Sequence, residues 1–348
     1  MAEIRILSID GGGIRGIIPA TVLEHIEEKT GRRASELFHL VAGTSTGGIL
    51  GCGLVKPDGA MTAAELKRLY EKRGPEIFRM SPWKTLTSLS GATDERYSVR
   101  NLEGILNEVL GEVQLADVKG VELLVTSYAI ELPDKVANTQ SYQATRAPFF
   151  FKNWKARGQK LDPGESAADF DFKLRDVARA TSAAPTYFEP ALIKSRSEAA
   201  YSMIDGGVFA NNPALCALAS AYKLWGRKHS YVVVSLGTGQ LQRPMSHANA
   251  KDWGVFEWLR PLMSVLFDAS SDTVHYQLDE LLGSSHFRFD IPLGADPNDE
   301  KAVNDDFDDA SPPNIRALID KGSALVKKEE QKLASLIDRL SSPKESLT

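Results

Sequence analysis

One short segment near the start constrains the fold more than any other. Ile4–Ile9 reads as a buried strand and stops at Asp10-Gly11-Gly12-Gly13. Ile18, Val22, Leu23 and Ile26 then recur at helical spacing, with Gly31 as the stop. Pro19 is tolerated because the first turn of a helix has no backbone bond to lose. A strand that turns through glycines directly into a helix opens an alternation of the two.

The rest of the chain continues that alternation. Leu37–Ala42 reads as a strand, Gly47–Val55 as a short helix of small residues, and Ala63–Arg73 and Val99–Leu110 as helices. A Leu- and Val-rich strand at Glu122–Ile130 precedes a helix at Lys173–Ala180. Met203–Ile204 ends another strand, Ala214–Leu224 is helical, and Tyr231–Leu236 is a buried strand closed by Gly237-Thr238-Gly239. This order predicts an α/β fold whose parallel or mixed sheet carries helices on both faces. No repeat or long linker divides the chain. One domain is therefore expected over residues 1–340, with its motifs in 4–239, a helical portion at 250–340 and a disordered tail at 341–348. Phe78–Tyr97, Pro148–Leu161 and the acidic Asp296–Asp309 break the pattern and are expected as surface loops.

Composition excludes several classes. The 348 residues suffice for a large core, and 41 basic against 46 acidic residues give a net charge of −5, which disfavours a nucleic-acid polymer as partner. Cys52 and Cys216 are too few for a disulfide framework or a four-ligand zinc site. No basic, apolar leader precedes Ile4, and Gly47–Val55 is too short to span a bilayer, so a cytoplasmic protein is expected.

Gly11-Gly12-Gly13-Ile14-Arg15-Gly16 fits GxGxxG between strand and helix, the setting of a dinucleotide-binding loop. That reading needs an acid at the end of the second strand to hold a ribose. Here that strand ends in Ala42-Gly43-Thr44-Ser45 instead. The same exposed amides can stabilise an oxyanion during acyl transfer.

Gly43-Thr44-Ser45-Thr46-Gly47 is a GxSxG pattern between an apolar strand and a small-residue helix. This is the setting of a nucleophile elbow, a strained turn that exposes the serine hydroxyl and offers the following amide, that of Thr46, to an oxyanion. A serine also needs a base. Among six histidines only His247 follows a strand in a loop, and Ser45, Asp205 and His247 would have the chain order of an α/β-hydrolase triad. A solvated loop histidine is the plainer reading. Asp205, at a strand end before Gly206-Gly207, can accept the proton itself if burial raises its pKa. Asp10 is the internal rival, and the residues alone do not rank the two acids.

Taken together, Asp10–Gly16, Gly43–Gly47 and Asp205-Gly206-Gly207 resemble the motifs of the patatin-like phospholipases. Ala180–Phe188 and Ser235–Gly239 are similar to the family's intervening segments, so the resemblance runs from about Ile4 to Gly239. It implies a three-layer αβα sandwich with a mixed, mostly parallel sheet, and a serine–aspartate dyad rather than a triad. Carried over, Ser45 is the nucleophile and Asp205 the base. Gly11, Gly12 and Gly13 form the oxyanion loop, with Arg15 supporting it or the lipid phosphate. The activity implied is hydrolysis of fatty-acyl esters of phospholipids and neutral glycerolipids, with no metal or other cofactor.

A lipase must also reach a membrane. Phe149–Lys155 mixes aromatic and cationic residues as interfacial anchors do, and Trp83-Lys84 with Leu86 and Leu89 is a second candidate. Trp253–Ala269 is apolar nearly all round, which suits core, membrane or a homodimer interface. Asn304–Asp309 lacks EF-hand spacing and reads as a solvated acidic loop. Some bacterial members of the family are gated by cyclic oligonucleotides in antiphage defence. Arg73, Arg79, Lys84, Arg96 and Arg100, or the Lys152–Lys160 cluster, are the basic residues available for such an activator. A non-enzymatic dinucleotide or anion binder using Gly11–Gly16 is the remaining alternative.

Overall fold

The strand that opens the chain is enclosed on both faces. In the computed structural model, which describes residues 2–78, 97–137, 145–240, 245–294, 303–304 and 306–345, Ile4 and Ile6 face one apolar cluster while Leu7 and Ile9 face another. Each such side chain taken out of water contributes roughly 1.5–3 kcal/mol. That two-sided demand places helices above and below the sheet.

β1 (Glu3–Ile9), α1 (Ile17–Thr30), β2 (Leu40–Thr44), α2 (Thr46–Val55), α3 (Ala63–Ile77) and α4 (Val99–Leu110) come first. β3 (Glu122–Glu131), β4 (Ala147–Lys152), α5 (Leu174–Thr181), β5 (Ala191–Lys194), β6 (Ala200–Asp205), α6 (Ala214–Trp225) and β7 (Ser230–Leu236) follow. α7 (Val255–Leu282), β8 (His286–Phe289), α8 (Pro312–Lys328) and α9 (Glu330–Ser341) come last; one-turn helices are left unnumbered. α1 stops where expected, at Gly31, whose φ of 64° is left-handed. The sheet is mixed, with strand order β5-β6-β3-β2-β1-β7-β8 and β4 also on β3. β3, β2, β1, β7 and β8 run parallel, while β4 and β6 run antiparallel to β3. Helices on both faces make the three-layer αβα fold expected from the sequence.

The register around β3 positions the site. Thr126 pairs with Thr44 of β2 and Phe150 of β4, whereas Ser127 pairs with Asp205 of β6 and Phe149 of β4. Since β4 holds one edge from Leu124 to Ala129, β2 and β6 share the other. They approach from opposite directions and end against each other, one at Thr44 and the other at Asp205. Ser45 is the next residue after Thr44, so topology alone brings the serine to the aspartate.

Four expectations are corrected. Pro148–Leu161 is not a loop, because Phe149 and Phe151 lie on β4 and point into a ring cluster with Phe172 and Tyr201. Trp154, on a one-turn helix, is also buried, so this stretch is no membrane anchor. The C-terminal portion is not only helical, since β8 extends the sheet beside β7. The acidic segment is not simply solvated: Phe307 and Asp308 are buried, and Tyr97 donates to Asp308 at 2.6 Å. The tail is held as far as Lys344, which donates to the carbonyls of Ser35, Phe38 and Gly120, while Arg5 holds Ser342. Trp83, Lys84, Leu86 and Leu89 lie outside the described residues. Among the described residues no helix is long and apolar enough to cross a membrane.

Candidate active site

Ser45 sits between β2 and α2 with φ 53° and ψ −122°, a conformation that costs a non-glycine residue about 1–3 kcal/mol. Its surroundings enforce it. The Ser45 amide donates to Thr181 Oγ1 at 2.8 Å, and Thr181 in turn donates to the Thr126 carbonyl. Thr44 shares a 2.7 Å hydrogen bond with Thr126 Oγ1. Gly47 lets α2 begin hard against β1, since a Cβ there would lie 2.1 Å from the Ile9 carbonyl oxygen.

Asp205 is enclosed at the end of β6, and its Oδ1 accepts from the Gly207 amide at 2.7 Å. Burial raises its carboxyl to about 7, while hydrogen bonds from the Ser45 hydroxyl and the Gly207 amide pull against that rise. A carboxylate with a pKa near neutrality, bonded to a strained serine, is suited to general-base work. Asp10 is placed differently. Its Oδ2 lies 2.8 Å from Arg288 of β8, which also contacts Asp290 at 2.7 Å. Burial works against the Arg288 charge, but the two carboxylates more than offset it and hold the proton more firmly than usual.

The glycine loop lies beside the serine, and not all of its amides face the cavity. The Gly11 amide donates to the Asn211 carbonyl at 3.0 Å and the Ile14 amide to the Phe307 carbonyl at 2.9 Å. Gly12 and Gly13 line the cavity with Ser45, Thr46 and Asp205, whereas the Gly11 amide is already engaged. Gly13 adopts φ 58°, and a Cβ there would lie 2.0 Å from the Phe307 oxygen. Arg15 is buried, with Nε 3.4 Å from the Gly12 carbonyl and its guanidinium 4.1 Å over the Phe307 ring. That places it against the glycine loop, and it is not among the residues that line the cavity.

Above these groups opens a largely apolar cavity. Ile49 of α2, Leu66, Leu69 and Ile77 of α3, Leu102, Ile105, Leu106 and Val109 of α4, and Phe188 form its walls, with Phe267 and Phe307 near the polar end. Phe307 and Phe267 stack edge to face, and sequence reasoning missed both, because neither belongs to a motif. His247 lies exposed on a one-turn helix and does not line the cavity. Several of the basic residues considered for an activator are already engaged. Arg73 pairs with Glu76 and Glu108, Lys155 with Glu165, and Arg157 with Glu122. Lys152 is half-buried over Phe150 and Trp154, and burial lowers it to about 8. Arg79, Lys84 and Arg96 lie outside the described residues.

Comparison with known proteins bears on this arrangement. A family model described as Patatin-like phospholipase matches residues 7–218. Patatin-like protein 2 of Oryza sativa subsp. indica is 31% identical over 319 residues, covering 81% of this chain and 73% of that protein. Patatin-like protein 1 of the same plant is 28% identical over 359 residues, covering 93% of this chain and 81% of that protein. A Solanum tuberosum protein named "Probable inactive patatin-3-Kuras 1" is 27% identical over 354 residues, covering 93% of this chain and 87% of that protein. Relatedness alone therefore does not decide activity, and the residues around Ser45 must.

Proposed function

This chain belongs to the patatin-like phospholipase family, and from that premise we propose that it hydrolyses fatty-acyl esters of phospholipids or related glycerolipids through a Ser45–Asp205 dyad. The observation that carries the reading is the strained Ser45, hydrogen-bonded to a buried carboxylate at the polar end of an apolar cavity. An acyl chain fits the walls of α3 and α4 and leaves its ester carbonyl over the serine.

Ionised Asp205 takes the Ser45 proton as Oγ attacks the carbonyl carbon. The amides of Gly12, Gly13 and Thr46 face the developing oxyanion, and loss of one such donor typically costs about 100- to 1000-fold in rate. Asp205 then returns the proton to the departing alcohol, leaving an acyl-serine. Water attacks in the second step, Asp205 takes its proton and returns it to Ser45 Oγ as the acyl–oxygen bond breaks, and the fatty acid leaves.

The membrane contact in this reading is the N-terminal half of α7. Val255, Trp258, Leu262 and Leu266 recur at helical spacing and are exposed, while the adjacent Phe267 turns into the cavity. Such a face lies in a lipid interface without crossing it.

Fatty-acid release from mixed phospholipid vesicles tests the proposal. Release by wild type and none by Ser45→Ala supports it, and equal release by both contradicts the Ser45 mechanism. Release by wild type that starts only on addition of a cyclic oligonucleotide would favour the gated form of the same chemistry.

A further inference from the structure

Away from the cavity, His275, Asp279 and His286 converge where α7 ends and β8 begins. His275 and Asp279 stand one helical turn apart, and one donor atom from each of the three residues lies within 4.8 Å of the others. His286 has a side chain with 0% exposure, and its Nδ1 is 2.7 Å from Asp279 Oδ1. His275 Nδ1 is 3.6 Å from Asp279 Oδ2, too far for a hydrogen bond. That nitrogen is nonetheless enclosed and without a hydrogen-bond partner. A buried ring nitrogen facing a carboxylate it does not reach calls for an explanation. Two ligands each about 2.0–2.1 Å from a tetrahedral zinc stand roughly 3.3 Å apart, close to this gap.

We infer that His275, Asp279 and His286 form a binding site for a zinc-like divalent cation that fastens the end of α7 to β8. Two imidazoles and a carboxylate are a donor set zinc accepts, with water filling the fourth position. The site falls at the last turn of α7, where unpaired carbonyls and the helix dipole favour a cation. The neighbouring Lys332 ammonium is engaged by the Arg288 carbonyl at 2.7 Å. Two residues beyond His286, Arg288 holds Asp10 at the root of the glycine loop, so the ion would brace the edge strand that carries Arg288. It takes no part in the hydrolysis.

The test uses tag-free, chelator-treated protein titrated with zinc in a calorimeter, with melting followed in parallel. One equivalent should bind with micromolar or tighter affinity, and excess zinc should raise Tm by a few degrees. Cobalt in place of zinc should give the visible spectrum of a four-coordinate nitrogen and oxygen site. His275→Ala and Asp279→Asn should both abolish binding and the zinc-dependent Tm rise; His275→Ala, at a partly exposed position, should leave the metal-free Tm unchanged, whereas Asp279→Asn also alters the hydrogen bond to His286. Wild type that takes up no zinc, or a His275→Ala variant that binds as wild type does, would overturn the site. Asp279 would then serve only to orient the His286 ring.

Discussion

At the residue scale, burial sets the account of Asp205. The folded protein keeps the Asp205 proton up to about pH 7, whereas the unfolded chain releases it near 3.8. Between those values the folded state binds more protons, so stability falls as pH rises through the window. The ionised form is therefore disfavoured in the fold by up to about 4 kcal/mol. Asp205→Asn should raise Tm by a few degrees at pH 8, with the gain fading toward pH 4, as calorimetry at both pH values would show. The same substitution should lower turnover by about 100- to 10,000-fold, and wild-type activity should climb with pH through about 7 as the base ionises. Arg288 carries the opposite lesson. Arg288→Met leaves Asp10 and Asp290 enclosed without their cation, and denaturant unfolding should show a loss of about 3–5 kcal/mol.

At the scale of elements, α3 and α4 define the acyl site and α7 its approach. Leu106 is buried against the cavity from α4. Leu106→Trp should fill that space and shift preference toward shorter acyl chains, measured as release from a chain-length series of esters. On α7, the double variant Trp258→Glu with Leu262→Glu should lower hydrolysis of vesicle lipid several-fold. Hydrolysis of a water-soluble short-chain ester should be unchanged, since neither residue lines the cavity. The sequence showed Trp253–Ala269 as apolar nearly all round, which did not reveal that α7 leaves one face exposed or which partner that face meets. The aromatic run on β4 misled for a related reason. Phe149 and Phe151 alternate inward on a strand, but Phe150 between them is also apolar, so the two-residue period that marks a half-exposed strand is hidden.

For the whole molecule, what was legible in the sequence follows the distance between interacting residues. The βα opening, the Ser45 elbow and the strand end at Asp205 are local patterns, each written within a few consecutive residues. Their convergence depends on β2 and β6 sharing one edge of β3, which no local pattern records. The C-terminal third was read least well, because its role is to complete groups far away in the chain. β8 covers the edge of β7, Arg288 reaches Asp10, and Phe307 accepts from Ile14. A chain ended after Gly239 should consequently fail to accumulate as folded, soluble protein, with circular dichroism and soluble yield as readouts.

The most direct measurement of the central claim is covalent labelling with a serine-reactive fluorophosphonate, followed by peptide mapping. One adduct is expected, on Ser45, formed quickly by wild type and far more slowly by Asp205→Asn of equal or greater stability. An adduct on another serine, or labelling of Ser45 at an undiminished rate without Asp205, would contradict it.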